Sequence, residues 1–483
     1  MTKQLLLTSS AILAGISCIA STKVVPKPDT LPQQRQQVSV TQFYEDTCAK
    51  CHGRAGEGGG GGTKSLIDED KFEQKHDRPF FDAIKNGVPD AGMEAYGATM
   101  SDQQIWAQVV HIRELQAKGL RAKNGSPKAV NGVYPGKRHN YRIETVSEDD
   151  MKTPWAIDWL PEGKMLVTNL PGTINVLSNG ELIAEVEGLP ASRQQGQGGL
   201  MDVAVHPSNG WVYLAFSDPG KERGAMTKVV RGKVKLSGDS ATWTDQQTIL
   251  EFPQEFYSGA GIHFGSRIAF DKSDHVFIAI GERGTNMRSQ EFTNPFGKIF
   301  RLNTDGTIPT DNPTFAEGAI KGIWSTGHRN QQGLAFDLDG NLWTTEHGPR
   351  GGDEVNKVDK GANYGWPIVL FGINYNDTPF STPWPKPEEK ITLPAFRWLP
   401  SIGASGLDVA TGKAFPQWKG DLLAGGLSGA NLDRLRMKDG QLVEREELIH
   451  GMGRIREVAV GPDGYVYVAI NQPDKIIRLM PAP

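Results

Sequence analysis

The segment VAVGPDGYVYV, residues 458–468, shows how most of this chain is built. Apolar residues alternate at period two on both sides of a Gly-Pro-Asp-Gly turn, which is typical of an antiparallel β-hairpin. Earlier parts of the chain repeat the pattern at intervals of about 40 to 75 residues: WAIDWLPEGKMLV (155–167), LMDVAVHP (200–207) with WVYL (211–214), IAFD (268–271) with VFIAI (276–280), LAFDLDGNLW (334–343), and LDVA (407–410) with DLLA (421–424). Because one hairpin cannot bury its faces alone, the copies predict an all-β, six-bladed β-propeller over residues 141–483, with a ligand site on its axis.

A second informative segment, CAKCH at residues 48–52, lies near the N-terminus. This pattern is the signature of covalent c-type haem attachment, in which Cys48 and Cys51 form thioethers and His52 ligates the iron. A zinc site would need a second pair of ligands, and the chain has only one further cysteine, Cys18. A redox dithiol would lie within a βαβ pattern, whereas a glycine-rich run follows here. The sequence therefore predicts a small all-α cytochrome c domain over residues 39–117.

The second axial ligand of the haem iron is predicted to be Met93. A methionine on a loop of small residues can approach the iron closely, and the segment GMEAY (92–96) provides one. Met100 is the alternative, and both methionines could instead be packing residues. The stretch from CAKCH to SDQQIW (101–106) resembles small cytochrome c domains, in which the methionine of the G-M-x-x-aromatic motif is the ligand. That resemblance favours Met93. Ser101 and Gln104 further predict a capping box at the start of the last helix.

The first 20 residues are typical of a secretory leader, with Lys3 followed by an apolar run over residues 5–19. The segment GISC (15–18) resembles a bacterial lipoprotein box, which predicts a lipid anchor at Cys18. Cleavage after Ala20 is the alternative and would give a soluble periplasmic protein. Either route exports the chain, as bacterial c-type haem attachment requires, so we expect a periplasmic location.

Two polar segments, residues 21–38 and 118–140, contain prolines, glycines and charged residues and are predicted to be linkers. The second of them is expected to let the two domains dock without imposing one rigid pose. The chain carries 52 basic and 56 acidic residues, with a net charge of −4 and no basic run. This charge balance gives no electrostatic support for a nucleic-acid partner.

Residues 145–480 resemble the soluble quinoprotein sugar dehydrogenases, six-bladed propellers that carry pyrroloquinoline quinone (PQQ). The resemblance rests on motifs that follow one another in the same order: GQGGL (196–200), HFGSR (263–267), GHRNQQGLAF (327–336), GPRGGDE (348–354), GANYGWP (361–367) and RIR (454–456). It implies oxidation of an aldose sugar by hydride transfer to PQQ. It also implies bound calcium, which accepts oxygen ligands.

The resemblance assigns roles to individual residues. It makes His263 the catalytic base and suggests Glu282 as the carboxylate that orients it, which suits a proton transfer near neutral pH. The residues expected to contact PQQ are Gln197, Arg329, Asn330, Arg454 and Arg456. The backbone carbonyls of Gly348 and Pro349 are expected to hold the calcium ion at the quinone, and Glu354 and Tyr364 a second calcium ion. For the pair Asp353-Glu354, a solvated turn is the alternative.

The chain departs from the best-known members of that family at three positions. Ser428 stands where they have a lysine that contacts the quinone, Leu399 where they have a tryptophan at the mouth, and Ile262 where an aspartate is expected before the base. These changes bear on quinone affinity and sugar choice more than on the type of reaction.

Together these observations predict an exported quinohaemoprotein dehydrogenase. Electrons from a sugar substrate would pass through PQQ to the haem and on to a soluble or membrane-bound respiratory acceptor. One alternative is a haem electron carrier whose propeller is a non-catalytic binding scaffold. Another is a metal-dependent lactonase, which would need a cluster of axial carboxylates and would leave the arginines without a role.

Overall fold

The computed structural model describes residues 39–60, 63–221 and 224–483. The predicted leader, the lipid-anchor residue Cys18 and the whole of the first linker lie outside the described residues. A small helical domain (39–124) comes first, and a large β-rich domain (141–483) follows it. Among the described helices, none has the length and apolar character that crossing a membrane requires.

The described part of the small domain consists of short helices and one long helix, packed around a core that includes Tyr44, Phe81 and Trp106. Gly87 ends the third helix with a φ of 73°, and Ser101 and Gln104 form the predicted capping box of the fourth. Its helices are α1 Val40–Phe43, α2 Ala49–His52, α3 Asp77–Asn86 and α4 Asp102–Asn124, with a π-helical turn Tyr44–Cys48 and 3-10 turns Gln74–His76 and Pro89–Ala91.

Helix α4 is longer than the sequence predicts and continues past residue 117 to Asn124. Its last turns are stabilised by the burial of Leu120 and by an ion pair between Arg121 and Glu447 at 2.7 Å. Further along the expected linker, the Arg138 guanidinium donates to both carboxylate oxygens of Glu444, at 3.0 and 2.7 Å. The connection is therefore fastened to the large domain and is not a loose tether.

The large domain is formed by strands in antiparallel sets of four. The strands are β1 Tyr141–Ser147, β2 Pro154–Trp159, β3 Met165–Asn169, β4 Thr173–Ser178, β5 Glu181–Glu187, β6 Leu200–Val205, β7 Val212–Pro219, β8 Ala225–Ser237, β9 Ser240–Leu250, β10 Gly265–Phe270, β11 His275–Ile280, β12 Lys298–Asn303, β13 Ile323–Thr326, β14 Gln331–Phe336, β15 Leu342–Glu346, β16 Asp353–Lys357, β17 Phe396–Trp398, β18 Ala404–Val409, β19 Leu422–Gly426, β20 Asn431–Lys438, β21 Gln441–His450, β22 Arg454–Val460, β23 Val466–Asn471 and β24 Lys475–Pro481. Short 3-10 turns lie at Gln254–Phe256, Asn286–Gln290 and Pro416–Trp418.

The sets follow chain order, with two exceptions. Strand β1 joins β22–β24, so the beginning and end of the domain share one sheet. The sets β2–β5 and β6–β9 merge into one eight-stranded sheet, because β5 and β9 pair in parallel between residues 186–187 and 241–242. The predicted β-rich domain of repeated hairpins is confirmed, and this merger is a feature that the sequence pattern does not show.

The first strand of each set lies on the inside of the domain. Strands β2, β6, β10, β14, β18 and β22 contact one another in that order, and β22 contacts β2. Their faces are buried between neighbouring sets, where each fully buried Val, Leu or Ile side chain contributes about 1.5–3 kcal/mol to stability. The two ends of these six strands therefore frame the two ends of an axis.

Candidate active site and haem site

A cavity of about 140 Å³, here named the axial cavity, lies at the N-terminal ends of the first strands. The structure brings together residues from four of the sequence motifs to line it: Gln197, Phe264, Asn330, Arg454 and Arg456. These residues are up to 259 positions apart in the chain, since 456 − 197 = 259. Arg329 lies nearby, where it lines a small space together with His347, which also borders the axial cavity.

Three guanidinium groups at this end have no carboxylate partner within the described parts of the chain. Arg456 reaches only Asn471 Oδ1 and Arg329 only the carbonyl oxygen of His347, each at 3.4 Å, and both stack on tryptophan rings. Burial, together with the neighbouring charge of Arg454, lowers the pKa of Arg456 to about 10. Because a buried charge is costly unless it is paired, this arrangement fits a ligand that carries several carboxylates, as PQQ does.

Two amide side chains add directional contacts to the cavity. Asn330 Oδ1 accepts from the backbone N–H of Gly265 at 3.1 Å, while its buried Nδ2 has no partner in the described structure. Gln197 Oε1 accepts from the backbone N–H of His263 at 2.8 Å. Both amides are thus oriented by the protein, and Asn330 retains a donor for a ligand.

His263, the predicted base, occupies an unusual backbone conformation. Its φ is +52°, in the left-handed region that side-chain-bearing residues rarely adopt. The hydrogen bond to Gln197 holds this conformation, and Arg283 N–H donates to the His263 carbonyl at 3.3 Å. Backbone strain of this kind persists where the surroundings impose it and is concentrated at functional sites.

The imidazole of His263 is paired with Glu282, as the sequence predicts. Nδ1 lies in hydrogen-bonding contact with Glu282 Oε1, and Glu282 Oε2 accepts from the backbone N–H of Asn286 at 2.7 Å. Burial lowers the pKa of His263, although the bond to Glu282 acts in the opposite direction. Burial tends to raise the pKa of Glu282, but the bond to His263 and other contacts lower it overall. This network assigns a neutral imidazole with Nδ1–H on Glu282 and Nε2 as a proton acceptor.

The loop that carries Gly348 and Pro349 is held by Asp353. Asp353 Oδ1 accepts from Gly348 N–H at 2.9 Å and from Ser401 Oγ at 2.7 Å, and Oδ2 accepts from Ala404 N–H at 2.7 Å. Asp353 is 1% exposed and Glu354 is 9% exposed. The alternative interpretation of this pair as a solvated turn is therefore wrong. The calcium role of the Gly348 and Pro349 carbonyls stays a prediction.

Glu354 lies close to a second carboxylate, Glu346. The amide Nδ2 of Asn356 donates to both, at 3.0 and 2.8 Å. Burial and the charge of Glu346 raise the pKa of Glu354 well above its ordinary value. Two adjacent buried carboxylates fit a hard cation. The Tyr364 hydroxyl is occupied by backbone groups of residues 357 and 359, so any calcium role of this residue falls to its backbone carbonyl.

His347 is a residue of this site that the sequence analysis missed. It lies directly before Gly348, and it borders both the axial cavity and the small space beside Arg329. Its Nε2 atom is buried without a partner in the described structure, and burial, followed by the charge of Arg329, lowers its pKa to about 3. It is thus a neutral imidazole. Its position in the sequence between the motifs GHRNQQGLAF and GPRGGDE could have identified it as a residue of the site.

The CAKCH segment presents the groups that haem attachment needs. Cys48 is half-buried, Cys51 is exposed and both thiols are free. Nδ1 of His52 is buried and has no partner within the described residues, and burial lowers the pKa of this imidazole. Since an iron ligand must be a neutral imidazole, His52 fits that role.

The two candidate methionines differ in their surroundings. Met93 is half-buried and packs against the small-domain core, as Cys48 and Tyr96 also do, whereas Met100 is 9% exposed and belongs to that core itself. This difference agrees with Met93 as the residue available to the iron. Its role as the axial ligand stays a prediction.

Helix α4 also packs against the large domain. Trp106 makes edge-to-face contacts with Phe371 and Trp384 of the large domain, at ring-centroid distances of 6.2 and 6.0 Å. Leu399 packs in the same cluster, so the position of the expected tryptophan is occupied by a smaller residue that contacts the small domain. Trp106 and Val110 therefore join the two domains.

A buried charge cluster strengthens this contact. Asp77 of α3 accepts from Arg113 Nε at 2.6 Å and also contacts the guanidinium of Arg397 from β17. All three side chains are at most 7% exposed. One carboxylate thus binds two arginines, one from each domain.

Comparison with known proteins gives two family matches. The glucose / sorbosone dehydrogenase family matches residues 151–478, and the family described as cytochrome c oxidase, cbb3-type, subunit III, matches residues 36–112. The chain is 38% identical over 337 residues to the aldose sugar dehydrogenase YliI of Escherichia coli strain K12, covering 68% of this chain and 89% of that protein.

Solved structures agree with these matches. The apo form of the soluble aldose sugar dehydrogenase from Escherichia coli is similar with a TM-score of 0.64 and 34% identity, over 71% of this chain and 100% of that chain. The PQQ-bound aldose sugar dehydrogenase from Streptomyces coelicolor is similar with a TM-score of 0.56 and 26% identity, over 72% of this chain and 99% of that chain.

Proposed function

The chain belongs to the glucose/sorbosone dehydrogenase family, and from this we propose that it is an exported, PQQ-dependent aldose dehydrogenase that delivers electrons to its own c-type haem. One observation carries the quinone part of this proposal. Arg454 and Arg456 line the axial cavity and Arg329 lies beside it, all three without carboxylate partners in the described structure and near the His263–Glu282 pair. An anionic ligand supplies the missing charge.

We infer that the large domain is a six-bladed propeller. Its strands form six sets of four, and the first strands contact one another around an axis. The merged sheet of β2–β9 then represents two neighbouring blades joined by one short parallel pairing. In this architecture the axial cavity lies at one end of the central axis.

When bound, PQQ accepts the hydride and its electron pair, calcium polarises the quinone, and the haem iron carries electrons one at a time. The protein supplies the acid–base chemistry. Nε2 of His263 takes the proton of the sugar C1 hydroxyl as the C1–H bond breaks, and C1 becomes the carbonyl carbon of a lactone. Glu282 holds Nδ1–H and stabilises the imidazolium that forms, while Gln197 fixes the backbone of His263.

The location and the final electron acceptor are part of the same proposal. Export rests on the leader over residues 1–20, and a lipid anchor rests on Cys18. The acceptor would be a soluble or membrane-bound respiratory protein that takes electrons from the haem. Two electrons and two protons leave each sugar, so each turnover reduces a one-electron acceptor twice.

The two alternatives explain the site less well. A binding scaffold would not need a base strained at φ +52° and paired with a buried carboxylate. A separate cavity, lined by several carboxylates, lies at the end of the axis opposite the axial cavity, and in a lactonase these carboxylates would have to bind metal. Two of these carboxylates, Asp158 and Asp408, instead accept backbone N–H groups of Val205 and Val460, each at 2.6 Å.

The proposal is tested by following the haem of the intact protein. Adding glucose to protein loaded with PQQ and calcium should reduce its own haem at a rate that is independent of protein concentration. The matched control is the H263N variant, whose haem should be reduced about 10²–10⁴-fold more slowly. Haem that stays oxidised while the wild type oxidises sugar with a dye acceptor would disprove the internal electron transfer. Absence of any sugar oxidation would disprove the dehydrogenase assignment.

A further inference from the structure

The segment 348–352, here named the boundary segment, joins the surroundings of the axial cavity to the small domain. Gly348 at its start lines the small space beside Arg329. Gly351 has a φ of +92°, and a Cβ atom at this position would lie 2.9 Å from Leu399 Cδ1 and 3.2 Å from Val110 Cγ1 of helix α4. The positive φ and these close neighbours favour glycine here, and they let α4 pack directly against the boundary segment.

The backbone of Arg350 fastens the boundary segment to the apolar core that the two domains share. Arg350 N–H donates to the carbonyl oxygen of Ile373 at 3.1 Å, and Ile373 N–H donates to the carbonyl oxygen of Arg350 at 2.8 Å. The side chain of Ile373 is buried in the same apolar cluster as Trp106 of α4. The side chain of Arg350 therefore starts from a fixed backbone position at the domain boundary.

The guanidinium of Arg350 binds one carboxylate from each domain. It donates to both carboxylate oxygens of Glu114, on α4, at 2.8 and 2.7 Å, and its third nitrogen donates to Asp377 Oδ1 at 2.7 Å. Burial tends to raise the pKa of both carboxyl groups, but the hydrogen bonds from His111 and Arg350 to Glu114, and from Thr41 to Asp377, lower the two pKa values overall. Both carboxylates are therefore ionised at neutral pH, and the two-pronged bond to Glu114 fixes the geometry of the pair.

Asp377 in turn holds the first helix of the small domain. Its carboxylate accepts from Thr41 N–H at 2.9 Å and from Thr41 Oγ1 at 3.2 Å, and its carbonyl oxygen accepts from Val40 N–H at 2.9 Å. Helix α1 continues into the π-helical turn that ends at Cys48, the first cysteine of the CAKCH segment. Arg350 is thus linked through Glu114 to α4 and through Asp377 to the helix that leads to the haem motif.

A second ion pair across the domain boundary serves a different part of the molecule. Arg121, near the end of α4, binds Glu447 at 2.7 Å. Glu447 belongs to β21, the outermost strand of its set, whereas the axial cavity lies at the first strands. Arg121 therefore fastens the end of the helix at the outside of the large domain, and only Arg350 of these two arginines fastens it beside the axial site.

We propose that Arg350 is a positioning residue that fixes the small domain against the boundary segment, so that electrons enter the haem in this docked arrangement without a domain movement. The proposal rests on the proposed function, because it takes electrons to pass from the axial cavity to the haem. For each sugar, two successive one-electron transfers reduce the haem iron from Fe(III) to Fe(II), the external acceptor reoxidises it after each transfer, and two protons pass to solvent. Electron transfer slows steeply as the distance between donor and acceptor grows, so a loosened small domain should slow this step and leave sugar oxidation unchanged.

The test separates electron transfer to the haem from oxidation of the sugar. In the full-length protein loaded with PQQ and calcium, R350M and E114A should each slow glucose-driven reduction of the haem about 10- to 100-fold, because small misplacements of reacting groups have effects of this size. The kcat with a dye that accepts electrons at the quinone should stay at the wild-type value. The matched control is R121A, which removes the other ion pair across the boundary and should leave both rates at the wild-type value.

Hydrogen exchange of the quinone-free protein gives a readout that does not depend on activity. In R350M, the amides of Val40 and Thr41, which are bonded to Asp377, should exchange faster than in wild type. In R121A their exchange should be unchanged. Faster exchange of these two amides together with slower haem reduction would establish the positioning role.

Several results would overturn the proposal. Wild-type haem reduction in R350M would do so, and so would equal slowing in R350M and R121A, which would assign the effect to a general loosening of the domains. A shift of the haem midpoint potential large enough to explain the slower transfer, or an equal loss of dye-linked kcat, would also remove the positioning role. If the wild type oxidises sugar while its haem stays oxidised, the proposed function fails, whereas faster amide exchange in R350M and E114A, but not in R121A, would still show that Arg350 holds the small domain in place.

Discussion

The arginines at the two ends of the axis differ in their partners. At the far end, which encloses a cavity of about 300 Å³, Arg267 donates to Asp202 at 2.9 Å and contacts Glu457 as well. Its other donor atoms bind the backbone carbonyls of Gln332, at 2.6 Å, and Arg456, at 3.0 Å. Each of the three nitrogens of this guanidinium therefore has a partner within the protein, and its charge is balanced there.

At the near end, Arg329, Arg454 and Arg456 find no such balance within the described residues, although the backbone of Arg456 itself accepts a hydrogen bond from Arg267. Within one channel, the presence or absence of carboxylate partners therefore separates arginines that stabilise the fold from arginines that can bind a ligand. An arginine whose carboxylate partners belong to the protein stabilises the fold, whereas an arginine without such partners is available to an anionic ligand. Variants at the near end should therefore change activity or ligand binding, and variants at the far end should change stability.

The largest effect is expected from the base at the near end. H263N should lower kcat about 10²–10⁴-fold in PQQ-loaded protein with a dye acceptor, because the proton acceptor is lost. Asparagine tolerates a positive φ, so the fold and its thermal unfolding midpoint should be retained. The control is H275A at a hairpin turn, where His275 binds Asp271 at 2.8 Å. Equal kcat in H263N and wild type would remove His263 from the mechanism.

The far end should respond through stability. R267M leaves the buried carboxylates of Asp202 and Glu457 without their cation, so the free energy of unfolding should fall by about 3–5 kcal/mol. Urea unfolding of the quinone-free protein measures this loss. A change below about 1 kcal/mol, combined with weaker PQQ binding, would show that Arg267 belongs to the ligand site and that the two ends do not differ in this way.

The small domain offers a similar contrast between a residue available to a ligand, Met93, and a residue buried in the core, Met100. M100A removes a buried side chain and should lower the free energy of unfolding by about 2–5 kcal/mol, with the haem spectrum unchanged. M93A should abolish the weak absorption at the red edge that reports the Fe–S(thioether) bond, while the haem stays covalently attached. The reverse pair of results would make Met100 the ligand.

A smaller effect is expected at the arginines of the near end. R456M keeps an apolar stem but removes a charge-assisted contact to the quinone, so the Kd for PQQ should rise about 10- to 100-fold in calorimetric titrations. Because Arg456 has no carboxylate partner in the described structure, the quinone-free variant should be as stable as wild type or more so. A loss of stability as large as that of R267M would contradict the distinction between the two ends.

The smallest change is a shift in pH dependence. Burial lowers the pKa of His263 below its ordinary value of 6.5, so the acidic limb of kcat/KM should lie below pH 6.5. In E282Q, the contact that raises this pKa is lost, and the acidic limb should move to still lower pH while kcat falls with the loss of the oriented tautomer. A limb that moves to higher pH would show that Glu282 does not act on His263.

Local features of the fold could be predicted from the sequence. The capping box at Ser101, the helix end at Gly87 and the alternating hairpins depend on residues close together in the chain, and the structure has all of them. The CAKCH segment specifies its chemistry within five residues. For these features, neighbouring residues determine the backbone conformation.

Features that depend on distant contacts could not be predicted in this way. Arg267 and Arg456 are each the third residue of a strand, β10 and β22, and only the fold shows that one has carboxylate partners while the other does not. The length of α4 and its packing against the large domain depend on large-domain residues such as Phe371 and Glu447, more than 240 positions away from the helix residues that contact them (371 − 106 = 265 and 447 − 121 = 326). Pattern and propensity carry no information about such pairs.

The carboxylate of Asp77, bound by Arg113 from its own domain and by Arg397 from the other, has a consequence for inheritance and engineering. Replacing the small domain by another cytochrome would leave Arg397 buried without a counter-charge, and grafting the small domain onto another dehydrogenase would remove one partner of Asp77. Neither domain can therefore be replaced separately without cost, and we expect the two domains to be inherited as a pair. A chimeric bioelectrode enzyme built from this protein must carry the helix pair α3–α4 and strand β17 as one transplant.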